Sequence, residues 1–109
     1  MLPNADRAHI DIRKLADDAL SSEHPRGKHK ARVFESVLGL THEDAGWLRN
    51  EILDGVLATP AHPGQISEFG EHYVVDLAIA TLSGSATVRT AWIVRRGETF
   101  PRLASCYVR

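Results

Sequence analysis

The chain has 109 residues, 43% of them hydrophobic, with 13 Lys and Arg against 14 Asp and Glu. That length holds one domain, residues 1–109, with a modest core and excludes two; a net charge of −1 excludes a protein that coats nucleic acid through many basic phosphate contacts. The single cysteine, Cys106, excludes an intrachain disulfide framework and a cysteine-based zinc cluster.

No apolar run approaches the roughly 20 residues of a membrane span, and Met1 to Ile10 lacks the apolar segment of a signal peptide. A cytoplasmic protein without a membrane partner, or a domain of a larger chain, is expected. In chain order, Asp11 is placed to cap a first helix in which Ile12, Leu15, Ala16, Ala19 and Leu20 form one apolar stripe. Ser21, Ser22 and the His24-Pro25 pair end it, because the residue before proline is pushed out of the α region. A second helix runs from about Lys28 to Leu38, buries Phe34, Val37 and Leu38, and stops at Gly39. Thr41 with Asp44 resembles a capping box, Asp standing for the usual Glu. It opens a third helix whose Leu48, Ile52 and Val56 recur every four residues. Gly46 and Gly55 weaken that helix, each by about 1 kcal/mol against alanine.

Past a Pro60–Gly64 linker the period becomes that of strands. Tyr73, Val75, Leu77 and Ile79 alternate with mixed positions, and Ser83-Gly84 is placed as a two-residue turn. Ala86 to Val94 then carries Val88, Thr90, Trp92 and Val94 on one face, with Arg89, Ala91, Ile93 and Arg95 on the other. This turn pairs Leu77 with Thr90 and Val75 with Trp92, so the apolar rows share a face, and sets Arg89 diagonal to Asp76. Arg96-Gly97-Glu98 leads into a last strand, Leu103 to Val108, and Gln65 to Phe69 is a candidate fourth. The expected fold is α+β: three amino-terminal helices packed on one face of a three- to four-stranded antiparallel meander. The other face should carry Asp76, Ala78, Arg89 and Ala91 in a shallow polar groove, joined by Ser105 and Tyr107 if Ala104 and Cys106 point inward.

Chemistry concentrates in residues 24–32, His-Pro-Arg-Gly-Lys-His-Lys-Ala-Arg. Four Lys/Arg and two His fall there, with no carboxylate between Glu23 and Glu35; the remaining nine Lys/Arg face all fourteen carboxylates, a net −5. The stretch lies where a loop becomes a helix, where backbone N–H groups and the macrodipole are already positive, so stacked cations suggest a phosphate. His29 and His24 are candidate acid–base groups, histidine being the usual residue for that work near neutral pH, although a plain surface position is the commoner role of a histidine. Lys30, four residues before Phe34, either snorkels from a buried stem or aims its ammonium at a phosphate and its transition state. Arg89 either makes a cross-strand ion pair with Asp76 or joins Arg102 and the basic loop in a clamp for a planar anion. Tyr107 either donates a proton or closes the sheet. Thr90 is read as packed beside Trp92, Trp47 and Trp92 as core, and Cys106 as a small buried hydrophobe. His9, His42, His62 and His72 lack metal-ligand spacing, and no glycine-rich phosphate loop or nucleophile elbow occurs; neither metal nor cofactor is expected.

Leu2-Pro3-Asn4, Ile12 to Leu15, His24-Pro25-Arg26-Gly27 running into His29-Lys30-Ala31-Arg32-Val33-Phe34, Tyr73-Val74-Val75, Val88-Arg89-Thr90-Ala91-Trp92-Ile93, and Pro101-Arg102-Leu103 with Tyr107 span almost the whole chain in order. Together they resemble an uncharacterised bacterial domain family whose members occur beside a small partner gene and at the carboxyl ends of larger toxin proteins. The expected layout is in turn similar to the superfamily of small metal-independent ribonucleases that includes barnase, EndoU, the colicin ribonucleases and RelE. The resemblance implies a catalytic set of His29, Lys30, Arg89 and Tyr107, with His24, Arg26, Lys28, Thr90 and Arg102 binding the substrate. It implies RNA as that substrate and a small cognate antitoxin or immunity protein as partner. The acidic balance departs from many such toxins.

The expected function is therefore an endoribonuclease toxin of a two-component system, in which the 2′-hydroxyl attacks the adjacent phosphodiester. The alternative is a non-catalytic interaction module, an immunity or adaptor protein or a degenerate nuclease, whose acidic body suits docking on a basic partner.

Overall fold

The computed structural model describes residues 1–23 and 28–109. A helical turn at Leu15–Ala19 is followed by helix α1 (Lys28–Val33), which widens into a π turn at Phe34–Leu38, and by helix α2 (Ala45–Val56). Strands β1 (His62–Ser67), β2 (Gly70–Thr81), β3 (Gly84–Arg95) and β4 (Arg102–Val108) then form one antiparallel sheet in that spatial order. The protein is α+β: among the described residues, helical segments precede a four-stranded antiparallel sheet. Among the described residues no helix is long and apolar enough to cross a membrane.

Local chemistry explains the helices. The Asp11 carboxylate accepts the Arg13 amide at 3.0 Å, as an N-cap does, and pairs with the Arg13 guanidinium at 2.7 Å. The first helix is shorter than its apolar stripe, a single wide turn in which the Leu20 amide reaches the Leu15 carbonyl at 2.8 Å. Gly39, at φ +69°, ends the Phe34–Leu38 turn. The predicted capping box is present: the Asp44 carboxylate accepts the Thr41 amide at 2.9 Å and the Thr41 side chain accepts the Asp44 amide. Leu48, Ile52 and Val56 are fully buried.

Burial alternates along the central strands. Val75, Leu77 and Ile79 of β2 and Val88, Thr90 and Trp92 of β3 are buried, while Asp76, Arg89 and Ala91 between them stay half-exposed. The buried apolar row joins Phe34, Leu38, Leu48, Ile52 and Val56 in one core. At Gly55 an added Cβ would stand 2.9 Å from Leu77 Cδ2, so this glycine serves the approach of α2 to β2.

Four expectations need correction. Trp47, read as core, is 41% exposed. The β2–β3 turn is Leu82-Ser83, one residue earlier than Ser83-Gly84; Leu77 pairs with Val88, Val75 with Thr90, and Asp76 lies directly opposite Arg89. Moving a turn by one residue moves every partner by two, which preserves the faces. The turn sits there because the Thr81 hydroxyl donates to the Leu38 carbonyl (2.7 Å) and accepts the Ser83 amide (3.1 Å). Gly84 instead opens β3 where a Cβ would stand 2.7 Å from the Val37 carbonyl oxygen. In β4, Ala91 pairs with Ser105 but Trp92 with Leu103, which makes Ala104 the extra residue of a bulge. Leu103 and Cys106 are therefore both buried, and Ala104 is half-exposed rather than inward. The fourth strand is His62–Ser67, starting inside the expected linker; it is an exposed edge strand with an irregularity between Pro63 and Ile66, where proline is tolerated.

Candidate functional site

The described part of the basic stretch, residues 28–32, divides between two sides of α1. At 3.6 residues per turn, Lys28, Ala31, Arg32 and Glu35 share one side and Lys30 lies roughly opposite. The former line a surface cleft of about 560 Å³ with Leu20, Thr41 and His42. Lys30 is half-buried and its Nζ stands over the Tyr107 ring, 5.7 Å from the centroid, within cation–π range. Tyr107 lies on edge strand β4 opposite Arg89 of β3.

Arg89 is itself engaged. Its Nε donates to Asp76 Oδ1 at 2.9 Å and its Nη2 to Asp76 Oδ2 at 3.0 Å; Arg109 Nη1 reaches the same Oδ2 at 3.0 Å. The hydrogen bond from Arg89 holds the Asp76 carboxyl below the usual carboxylate range, with Arg109 adding to the effect. The Arg89 guanidinium is raised above its ordinary value by Asp76, and the Tyr107 hydroxyl beside it acts in the same direction. Behind Tyr107, burial pushes the Cys106 thiol up to about 12 against a smaller opposing pull from the Lys30 ammonium; a thiol so held is not a nucleophile at neutral pH. Three cations thus surround one carboxylate and one phenol. A guanidinium has five N–H donors. Asp76 takes the Nε–Nη2 side of Arg89 and the Tyr107 hydroxyl also bears on the guanidinium, which leaves the rest of its donors for a second oxyanion.

The other predicted residues are placed differently. His29 is exposed on α1 next to Lys30, and Lys28 is exposed on the opposite side with the cleft. Thr90 is fully buried; its hydroxyl donates to the Val75 carbonyl at 2.7 Å and accepts the Trp92 indole N–H at 2.8 Å, so it belongs to the core and does not face the cluster. Arg102 pairs in register with Ile93, four residues along β3 from Arg89, or about 13 Å. Its Nε and Nη2 donate to Glu98 at 2.9 Å each, and its guanidinium lies 4.8 Å from the Phe100 centroid. His24 and Arg26 lie outside the described residues. Among the described residues no three His, Cys, Asp or Glu side chains group closely enough to hold a metal.

Arg109 escaped the sequence reading. Its amide donates to the Thr87 carbonyl at 2.9 Å, and alternation from Ser105 through Tyr107 carries it onto the Arg89 face; that parity was the available signal. No curated protein matches the chain. The family model described as Domain of unknown function (DUF6883) matches residues 1–109, and the chain belongs to that family.

Proposed function

We propose that this domain is a metal-independent endoribonuclease, the toxin half of a two-component system neutralised by a small cognate partner, acting on RNA in the cytoplasm. The observation that carries this reading is the meeting of Lys30, Tyr107 and Arg89 from α1, β4 and β3 at one sheet edge. In the reaction the 2′-oxygen loses its proton and bonds to phosphorus, the bond from phosphorus to the 5′-oxygen breaks, and the leaving oxygen takes a proton. Lys30 and Arg89 neutralise the charge gathering on the phosphorane oxygens. Tyr107, a donor and acceptor between them, and His29, one residue from Lys30, are the groups that move the protons. The three helical segments back the buried face of the sheet in this reading, which leaves the Arg89 face to the substrate.

The test is induced expression in bacteria. Growth arrest with RNA breakdown is expected, and Lys30→Met should remove both, since losing one transition-state donor costs about 10²–10³-fold. Its thermal midpoint should fall by no more than about 4 °C, because the half-buried cation–π contact is worth about 1 kcal/mol or less. Normal cleavage by the folded variant would place the site elsewhere, and an unfolded variant would make the lysine structural.

One observation favours a second reading, a non-catalytic protein-interaction module. Arg89 and Arg102 both already hold a carboxylate, as they would on a surface built for docking. Healthy cells with intact RNA on expression of the wild type would select it.

A further inference from the structure

This inference rests on the ribonuclease reading and concerns the form of RNA that is bound. We propose that the half-exposed face of the sheet is a track for one unpaired RNA strand, with the cleaved phosphate at Arg89, a base over Ala91 and a phosphate further along the strand at Arg102. The strand register builds three consecutive rungs on that face: Asp76–Arg89–Tyr107, Val74–Ala91–Ser105, and His72–Ile93–Arg102. Every one of these residues is half-exposed. Successive rungs are about 7 Å apart.

The outer two rungs each carry a guanidinium and the middle one carries no charge. Arg89 and Arg102 are held alike, Nε and Nη2 on a carboxylate, so both guanidiniums are fixed in orientation with donors to spare. Between them Val74, Ala91 and Ser105 make a low floor that a planar base can cover. The bulge at Ala104 is what turns Ser105, Tyr107 and Arg102 onto this face together. Lys30, Arg89, Arg102 and Arg109 against Asp76 and Glu98 give the track a charge of +2 in a chain of net −1, which suits a polyanion. A duplex keeps its bases stacked inside and offers this floor nothing, whereas an unpaired strand can splay one out.

Binding is read by anisotropy with a fluorescein-labelled 2′-O-methyl oligouridine of about eight nucleotides, which lacks the attacking hydroxyl. The single strand should bind at least about tenfold more tightly than a 2′-O-methyl duplex of equal length. Ala91→Glu should weaken it by about tenfold or more, whereas Ser85→Glu, exposed on the same strand beyond the track, should change it less than about threefold. Arg102→Gln keeps the test open should Ala91→Glu not fold: the slope of log affinity against log salt should fall by about 0.7, one phosphate contact on a single strand. Equal binding of duplex, preferential binding of polyglutamate, or an unchanged slope in Arg102→Gln would overturn the track. Cleavage of unmodified RNA, scored separately, then says whether the ribonuclease reading fell with it; strand binding without cleavage would keep the track and remove the catalysis.

Discussion

Thr90→Val replaces a hydroxyl by a methyl at a position with no exposed surface. The wild-type hydroxyl donates to the Val75 carbonyl and accepts the indole N–H of Trp92, itself fully buried. The substitution removes one bond worth about 1 kcal/mol and strands the indole N–H in a dry site, at about 1–3 kcal/mol. The apolar gain of a buried methyl, about 0.8 kcal/mol, offsets part of this. A net loss of about 2 kcal/mol is expected, or about 8 °C in thermal midpoint for a chain of this size. Urea unfolding followed by tryptophan fluorescence should show a lower midpoint with an unchanged slope, and a cycle with Trp92→Phe should show coupling of about 1 kcal/mol. Activity per folded molecule should be that of the wild type. A stability loss under about 0.5 kcal/mol would refute the buried pair, and lost activity in a stable variant would return Thr90 to the substrate.

Acid should act on the cluster at Asp76. Its folded carboxyl titrates below the roughly 3.9 of an unfolded aspartate, so its contribution is complete above about pH 4 and is lost as pH falls through the folded value. Asp76→Asn should lose about 1 kcal/mol at neutral pH and show a shallower fall in thermal midpoint below pH 4 than the wild type; parallel curves would dismiss the pair. The glycines of α2 should respond differently. Gly46→Ala meets nothing within 4 Å and should stabilise by about 1 kcal/mol, whereas Gly55→Ala should gain nothing, because its methyl presses on the buried Leu77. Equal gains in the two denaturation midpoints would remove the packing role given to Gly55.

What could be read without coordinates follows local spacing. The Thr41–Asp44 cap, the Leu48, Ile52 and Val56 stripe and the opposed faces of β2 and β3 all depend on residues a few positions apart. Strand β1 was misplaced because an edge strand wet on both faces shows no alternation. The bulge at Ala104 was hidden because two residues opposing one is a property of the partner strand. Thr90 was drawn toward the substrate by the resemblance to ribonucleases, although parity already placed it with Trp92.

Backbone periods of 3.6 and 2 residues are set by the chain itself, so the sequence determined which side chains share a face, and with that the α+β class. The hairpin already set Arg89 near Asp76, but the contacts that complete the cluster were decided only in three dimensions. Lys30 finds Tyr107, and Asp76 gathers Arg89 with Arg109, because helix and sheet close over one core and bring together residues far apart in the chain. Electrostatic contact depends on distances through space, which no spacing along the backbone encodes.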